Sequence, residues 1–187
     1  MTLMKRSATL SLITIICAAY LVQLLVPNLQ QHLFLVKEAV LSDGQVHGTA
    51  QGEWWRYLTV ALTHGGIFHL GFNMYALMVL GNPIEAAFGK TKFIFIFFVS
   101  LIAGSLLSNY LAASNQPSVG ASGAIFGLFG AMVVVGKKIG ADIRSIAVII
   151  GINFALGFAL GGVDWHAHLG GLIGGTLSSV LLLTKKR

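Results

Sequence analysis

Ser122 and His168 are the residues whose types and settings could do chemistry together. Ser122 lies in the run Gly120-Ala121-Ser122-Gly123 at the start of one apolar stretch, and His168 lies at the start of another, beside Gly170 and Gly171. A hydroxyl buried without a partner costs about 1 to 3 kcal/mol. Serine with histidine is the minimal pair for nucleophilic catalysis, because imidazole accepts the proton that makes the hydroxyl reactive. The alternative is packing, since serine among glycines is typical of membrane helix contacts.

The composition indicates a membrane protein. The chain has 187 residues, of which 56% are hydrophobic and 10% charged, and its apolar runs are too long for a soluble core of this size. The net charge of +6 could indicate nucleic acid binding. The basic residues lie at the ends of apolar runs instead of forming a stripe, however, so we predict a lipid bilayer as partner and no nucleic acid.

The apolar runs predict an all-α, polytopic bundle of six transmembrane helices in a single domain over residues 1–187. The predicted spans are residues 7–26, 66–84, 93–112, 121–135, 143–160 and 167–183. Asn82-Pro83 and Glu85 mark the predicted end of the second span. Lys5 and Arg6 precede a first run long enough to be retained as an anchor, so no cleaved signal peptide is predicted.

A long outer loop, residues 27–55, joins the first two spans. Asp43-Gly44 predicts a turn within it. The near-helical spacing of its apolar residues predicts a short helix at the membrane interface; these residues are Leu33, Val36, Val40 and Leu41.

The basic residues predict the orientation of the bundle. With the amino terminus in the cytoplasm, only Lys37 and Arg56 of the 12 lysines and arginines fall outside. The inside residues are Lys5, Arg6, Lys90, Lys92, Lys137, Lys138, Arg144, Lys185, Lys186 and Arg187. This positive-inside pattern predicts that both termini are cytoplasmic.

The predicted orientation brings three polar residues to one depth. The second, fourth and sixth spans all run from outside to inside, and His69, Ser122 and His168 each lie near the start of one of them. Polar groups within a membrane are expensive and usually face one another or a water-filled cavity. We therefore predict one shared site near the outer surface.

Helical spacing supports this site. GxxxG pairs occur in the fourth and sixth spans and allow their backbones to approach closely; the pairs are Gly123 and Gly127, Gly170 and Gly174, and Gly171 and Gly175. Phe126, four residues after Ser122, is placed to stack on the His168 imidazole.

A second polar pair lies on the second span. His69 and Asn73 are four residues apart and share a helix face, where they could donate hydrogen bonds to the oxyanion formed in acyl transfer. No acidic residue lies at this depth inside a span, since Asp164 falls in the short outer loop, so the predicted mechanism is a serine–histidine dyad without a carboxylate.

These motifs together resemble those of the rhomboid intramembrane serine proteases in their basic six-span form. The resemblance covers about Trp54 to the end of the sixth span. The matching motifs are Trp55-Arg56 in the outer loop, His64 with His69 and Asn73 as HxxxxHxxxN, Gly120-Ala121-Ser122-Gly123 as GxSG, and His168, Gly171 and Gly175 as HxxGxxxG. GxSG alone is weak, but the four in this order are specific.

The resemblance implies a role for each matching residue. Ser122 would be the nucleophile and His168 the general base, while His69, Asn73 and the Ser122 backbone amide would stabilise the oxyanion. His64 would have a structural role, and Trp55 with Arg56 would brace the outer loop. Phe126 stands where the family often has tyrosine, which keeps ring stacking but loses a hydroxyl.

The implied activity is hydrolysis of peptide bonds in or near transmembrane helices of single-span or polytopic membrane proteins. A helix hides its amides in hydrogen bonds, so a substrate must unwind locally before cleavage. Substrates with helix-weakening residues and a small side chain at the cut are expected. We expect a prokaryotic plasma membrane, with the site opening to the extracytoplasmic side.

Three alternatives remain open. A non-catalytic binder of transmembrane helices could use the same fold, although both Ser122 and His168 are present. A metal site is disfavoured because His64 and His69 are five residues apart and no Cys or Glu joins them, so we expect neither metal nor cofactor. A small transporter would need charged residues in mid-span.

Overall fold

A computed structural model describes residues 7–160 and 163–184 of the chain. Within these residues the α-helices are α1 (Ala8–Leu25), α2 (Leu29–Leu33), α3 (Arg56–Thr59), α4 (Ile67–Phe88), α5 (Lys90–Leu111), α6 (Ser122–Val135), α7 (Ile143–Leu160) and α8 (Trp165–Thr184). Short 3₁₀-helices cover Thr49–Gln51, Val60–Leu62 and Gly136–Ile139, and strands β1 (Ala39–Val40) and β2 (Val46–His47) pair in antiparallel fashion. Five basic residues used to predict topology lie outside the described residues: Lys5, Arg6, Lys185, Lys186 and Arg187.

Five of the described helices are long and apolar enough to cross a membrane. They are α1, α4, α5, α6 with its 3₁₀ extension to Ile139, and α8. They coincide within a few residues with five of the predicted spans, so the all-α membrane bundle is confirmed. The predicted fifth span is also helical, as α7, and it is apolar over Ile143–Ala155. The six-span count and the single domain over residues 1–187 remain predictions.

The second span does not end where the sequence predicts. Instead of stopping near Asn82-Pro83, α4 contains Pro83 and continues to Phe88. The Glu85 carboxylate in this last part of α4 accepts hydrogen bonds from the Ala8 and Thr9 amides at 2.9 and 2.8 Å, and from the hydroxyls of Ser7 and Thr9. These bonds hold the extra turn of α4 against the start of α1, although proline removes one backbone donor.

The interfacial helix predicted in the outer loop is wrong over most of its length. Of the four apolar residues that predict this helix, only Leu33 is helical, as the last residue of α2. The β1–β2 hairpin follows further along the loop. Gly44 has a φ of +77°, and the Leu41 amide donates to the Gln45 carbonyl, so the turn predicted at Asp43-Gly44 is confirmed. Val36 is buried whereas Val40 is exposed, because Val36 precedes the hairpin and no helix runs through both residues to give them a common face.

The helix that starts at Ser122 lies at the centre of the bundle. In α6, 11 of the 14 residues are buried, whereas only four residues of α1 are. A helix that is apolar on all sides is typical of such a central position. The most enclosed helix therefore carries the serine.

Arg56 organises the outer loop. Its side chain is fully buried, and Nη1 donates hydrogen bonds to the carbonyls of Gln31 and Phe34 at 2.8 and 2.7 Å. Nε donates to Glu53 at 2.6 Å, and the other Glu53 oxygen meets the His47 ring at 2.7 Å. Hydrogen bonds donated by a charged guanidinium are stronger than those between neutral groups. Arg56 therefore joins the first part of the loop, at Gln31 and Phe34, to the second part, at Glu53.

Trp55 provides a second contact, because its indole N–H donates to the His32 carbonyl at 3.2 Å. Trp54 and Trp55 both remain exposed and pack edge to face. This arrangement suits an aromatic anchor at headgroup depth.

The outer loop is expected to loosen as pH rises above 6.5. Glu53 and then Asp43 accept hydrogen bonds from the His47 ring and raise its pKa above the ordinary 6.5. A raised pKa in the folded state means that the stabilisation is complete below 6.5 and is lost as pH rises through the raised value. Limited proteolysis of the loop against pH measures this. His47→Gln should remove the dependence, and an identical pH profile in that variant would contradict the prediction.

Candidate active site

Glycines allow α6 and α8 to touch backbone to backbone. A methyl group on Gly171 would overlap the carbonyl oxygen of Gly123, and one on Gly175 would overlap that of Gly127. These are two of the predicted GxxxG pairs. The third pair, Gly170 and Gly174, faces α5 instead, where added methyl groups would meet Ala103. α8 is thus smooth on two sides and fits between α5 and α6.

Ser122 and His168 form a hydrogen bond across this contact. Ser122 Oγ lies 2.9 Å from His168 Nε2, although 46 positions separate the residues in the sequence. Phe126 stacks on the imidazole with the ring centres 4.0 Å apart and the planes 8° from parallel. The distance suits proton transfer from the hydroxyl to the ring.

No side chain among the described residues bonds the far side of this imidazole. His168 is buried, and its Nδ1 has no hydrogen-bond partner there. The arrangement is therefore a pair and not a triad, as the lack of an acidic residue at this depth predicts. The ring is oriented by Ser122, by stacking and by its own backbone.

His69 packs against the loop that leads to the serine. A methyl group on Gly120 would lie 2.9 Å from His69 Cε1, and Gly120 has a φ of +106°, so this position requires glycine on two grounds. The Gly65 amide donates to His69 Nδ1 at 3.4 Å. Because Nδ1 accepts, the proton of the neutral ring is on Nε2, which makes Nε2 a donor.

Asn73 lies one turn after His69 and is buried. Its amide nitrogen donates to the His69 carbonyl at 2.9 Å. That bond uses one N–H and leaves the second available for another acceptor. His69 and Asn73 thus offer two donors from the same end of α4.

His64 supports His69 from behind. Its ring is 1% exposed and packs edge to face on His69 at 5.2 Å and on Tyr20 at 6.4 Å. Gln23 of α1 holds the His64 backbone with two hydrogen bonds, to its carbonyl at 2.9 Å and from its amide at 3.2 Å. Burial and then His69 lower the pKa of His64 to about 4, so the ring is neutral at physiological pH.

The structure also brings in residues that the sequence analysis did not place at the site. Phe154 of α7 packs edge-on against Phe126 at 5.3 Å and against His168 at 6.3 Å. Asp164 accepts a hydrogen bond from the Ala167 amide at 3.1 Å. An acidic residue three positions before this amide is an N-cap signal that could have been found; no comparable signal marks Phe154.

A small cavity adjoins the serine. Its volume is about 10 Å³, which is room for one water molecule. Its lining includes Ser105, Ser118 and Ser122. The Ser122 hydroxyl, the His168 imidazole and an adjoining space of the size of a water molecule suit hydrolysis through an acyl intermediate.

Comparison with known proteins gives a match to the Rhomboid domain over residues 51–185. The chain is 43% identical over 141 residues to "Rhomboid protease GluP" of Bacillus subtilis, which covers 71% of this chain and 27% of that protein. It is 37% identical over 144 residues to "Putative rhomboid protease YdcA" of the same organism, with 74% of this chain and 72% of that protein covered.

A third relative carries a different description. "Inactive RHOMBOID-like protein 8" of Arabidopsis thaliana is 38% identical over 144 residues, which cover 73% of this chain and 40% of that protein. The matched region is thus less than half of two of these three relatives. Similarity of sequence alone does not separate proteases from inactive relatives.

Proposed function

The chain belongs to the rhomboid family, and from this premise we propose that it is an intramembrane serine protease. The observation that carries the proposal is the 2.9 Å contact between Ser122 Oγ and His168 Nε2, made by two helices that touch through glycine. The alternative is a non-catalytic binder of transmembrane helices, and one relative of the chain is described as inactive. A serine hydrogen-bonded to a buried histidine has no evident use in such a binder.

Ser122 would act as nucleophile and His168 as general base. Oγ attacks the carbonyl carbon of the scissile peptide while its proton passes to Nε2. The tetrahedral intermediate then collapses, the C–N bond breaks, and Nε2 returns the proton to the leaving amine. A water molecule attacks the resulting ester with help from the same imidazole, which frees the second product and Ser122. The cavity beside Ser122 offers a place for this water.

The oxyanion would be stabilised by three donors. The Ser122 amide is at the start of α6, where backbone N–H groups have no partner in their own helix. His69 Nε2–H and the second N–H of Asn73 are the other two. Preorganised donors of this kind are usually the largest single contribution to acyl transfer. His64, Trp55 and Arg56 would maintain this geometry without touching the substrate.

We propose substrates that are single-span or polytopic membrane proteins. Their helices must unwind locally before a carbonyl can reach Ser122, so helix-weakening residues and a small residue at the cut should favour cleavage. The family and the five apolar helices indicate an integral membrane protein. For its orientation we propose cytoplasmic termini and a site open to the extracytoplasmic side of a prokaryotic plasma membrane.

The test is cleavage of a single-span model substrate by the purified chain in liposomes. Mass spectrometry of the products should place the cut within or beside the substrate's transmembrane helix. A folded protein that binds such helices and cuts none in a panel with helix-weakening residues would favour the binder instead.

Replacing His69 tests the oxyanion donors separately. We expect His69→Ala to lower kcat by about 10²- to 10³-fold with little change in KM, because the donor acts on charge that develops in the transition state. Initial rates of substrate cleavage measure this. His32→Ala removes an exposed histidine of the outer loop and should stay within about twofold of the wild type. Equal losses in the two variants would count against the assignment.

A further inference from the structure

Asp164 connects the start of α8 to α5. One carboxylate oxygen accepts the Ala167 amide at 3.1 Å, which caps the helix, and the other accepts the Ser108 hydroxyl at 2.5 Å. The Asp164 carbonyl accepts the His168 amide at 3.3 Å. His166 is near the same carboxylate, at 3.6 Å. Asp164 is only 14% exposed, so these bonds are largely protected from water.

The position of the His168 ring depends on the backbone that Asp164 holds. Nδ1 of His168 has no hydrogen-bond partner among the described residues, so no third side chain orients the ring as it would in a triad. Stacking on Phe126 fixes the plane of the ring but resists sliding within that plane only weakly. The distance to Ser122 must then be set by where the first turn of α8 lies.

We propose that Asp164 is a positioning residue for the catalytic pair, acting through hydrogen bonds that fix the first turn of α8 against Ser108 of α5. The inference rests on the proposed function, because the pair must be catalytic for its positioning to matter. Asp164 touches neither the substrate nor the reacting atoms. A misplacement of about 1 Å at a reacting group can reduce the rate by about 100-fold.

The experiment compares three variants in the liposome assay. Asp164→Ala removes both hydrogen bonds and should lower kcat by about 10- to 100-fold with KM unchanged. Asp164→Asn keeps a capping oxygen and can bond Ser108 through its amide, because asparagine caps as well as aspartate, so it should recover to within about threefold of the wild type. The rate at which a fluorophosphonate labels Ser122 should follow kcat, since labelling needs an activated serine and no helix binding.

Glu85→Ala is the matched control for lost stability. Glu85 also caps a helix, at the opposite end of the bundle from Ser122: it lies 16 residues after His69, about 24 Å along α4. It should lower Tm about as much as Asp164→Ala but leave kcat near that of the wild type. All rates are measured well below the lowest Tm.

Each result bears on the proposal. An Asp164→Asn variant as slow as Asp164→Ala, or an equal loss of kcat in Glu85→Ala, would overturn positioning by hydrogen bonds. Full activity of Asp164→Ala would overturn it too. If Ser122→Ala still cleaves in the same assay, the proposed function itself fails, which separates the two failures.

Discussion

Ser122→Ala is expected to abolish cleavage of transmembrane substrates, and His168→Ala is expected to do the same. Each removes one member of a pair joined at 2.9 Å, and residues that act as a unit lose most of their effect when either is removed. The loss should be on the order of 10⁴-fold or more, with the remaining rate due to the oxyanion donors and binding alone. Product formation by gel and mass spectrometry measures the loss, and fluorophosphonate labelling of Ser122 should disappear with it.

Ser179→Ala is the matched control for the serine variant. Ser179 is a fully buried serine whose hydroxyl has no partner among the described residues, whereas the Ser122 hydroxyl is bonded to His168. Removing an unpartnered hydroxyl is neutral or stabilising, so cleavage should be unchanged. Cleavage that survives in Ser122→Ala while Ser179→Ala is normal would end the assignment of the nucleophile.

Gly171→Ala should eliminate activity without touching either reacting side chain. The added methyl group would overlap the Gly123 carbonyl oxygen, and neither partner can rotate aside because both are backbone. The helices must separate, and His168 lies one turn before Gly171, so its contact with Ser122 breaks. We expect kcat to fall to the level of His168→Ala, about 10⁴-fold, and Tm to fall as well, because overpacking costs about 1 to 3 kcal/mol or more.

The control is a glycine-to-alanine substitution at a helix position where the added methyl group meets no other atom. Gly151 of α7 has nothing within 4 Å of an added methyl group, and alanine is a better helix former than glycine by up to about 1 kcal/mol. Gly151→Ala should therefore retain activity and Tm. Steady-state rates and thermal unfolding of both variants test the point. More than a tenth of wild-type activity in Gly171→Ala would show that α6 and α8 need not touch.

The sequence was most informative where helical periodicity and topology act together. Three spans predicted to run from outside to inside place His69, Ser122 and His168 at one predicted depth, and glycine spacing predicts a close contact between the fourth and sixth spans. The structure shows the Ser122–His168 contact and the stacked Phe126. Their catalytic roles stay predictions, because geometry and similarity do not measure turnover.

Contacts between distant side chains could not be predicted in the same way. Ser108 and Asp164 are 56 positions apart, and nothing in the spacing of either residue specifies the other. The sequence does not indicate that His47 joins Asp43 to Glu53, because the hairpin that brings these residues together is not predicted. The sequence predicts the end of a helix near Pro83 because local propensity cannot register the contact of Glu85 with α1.

The two ends of α1 bind different segments: its start binds the end of α4, and its end binds the segment just before α4. Glu85 receives the amides of its first turn, and Gln23 holds the His64 backbone near its last turn. The match to the Rhomboid domain begins at residue 51, so α1 lies outside the matched region. It nevertheless forms hydrogen bonds with Glu85 and the His64 backbone, which lie inside that region. A rhomboid domain expressed without α1 would lose the helix amides that bind the Glu85 carboxylate. It would also lose the Gln23 hydrogen bonds to the His64 backbone, which lies behind the oxyanion donors. An exchange of the first span between relatives should therefore succeed only when the incoming span supplies partners both for Glu85 and for the His64 backbone.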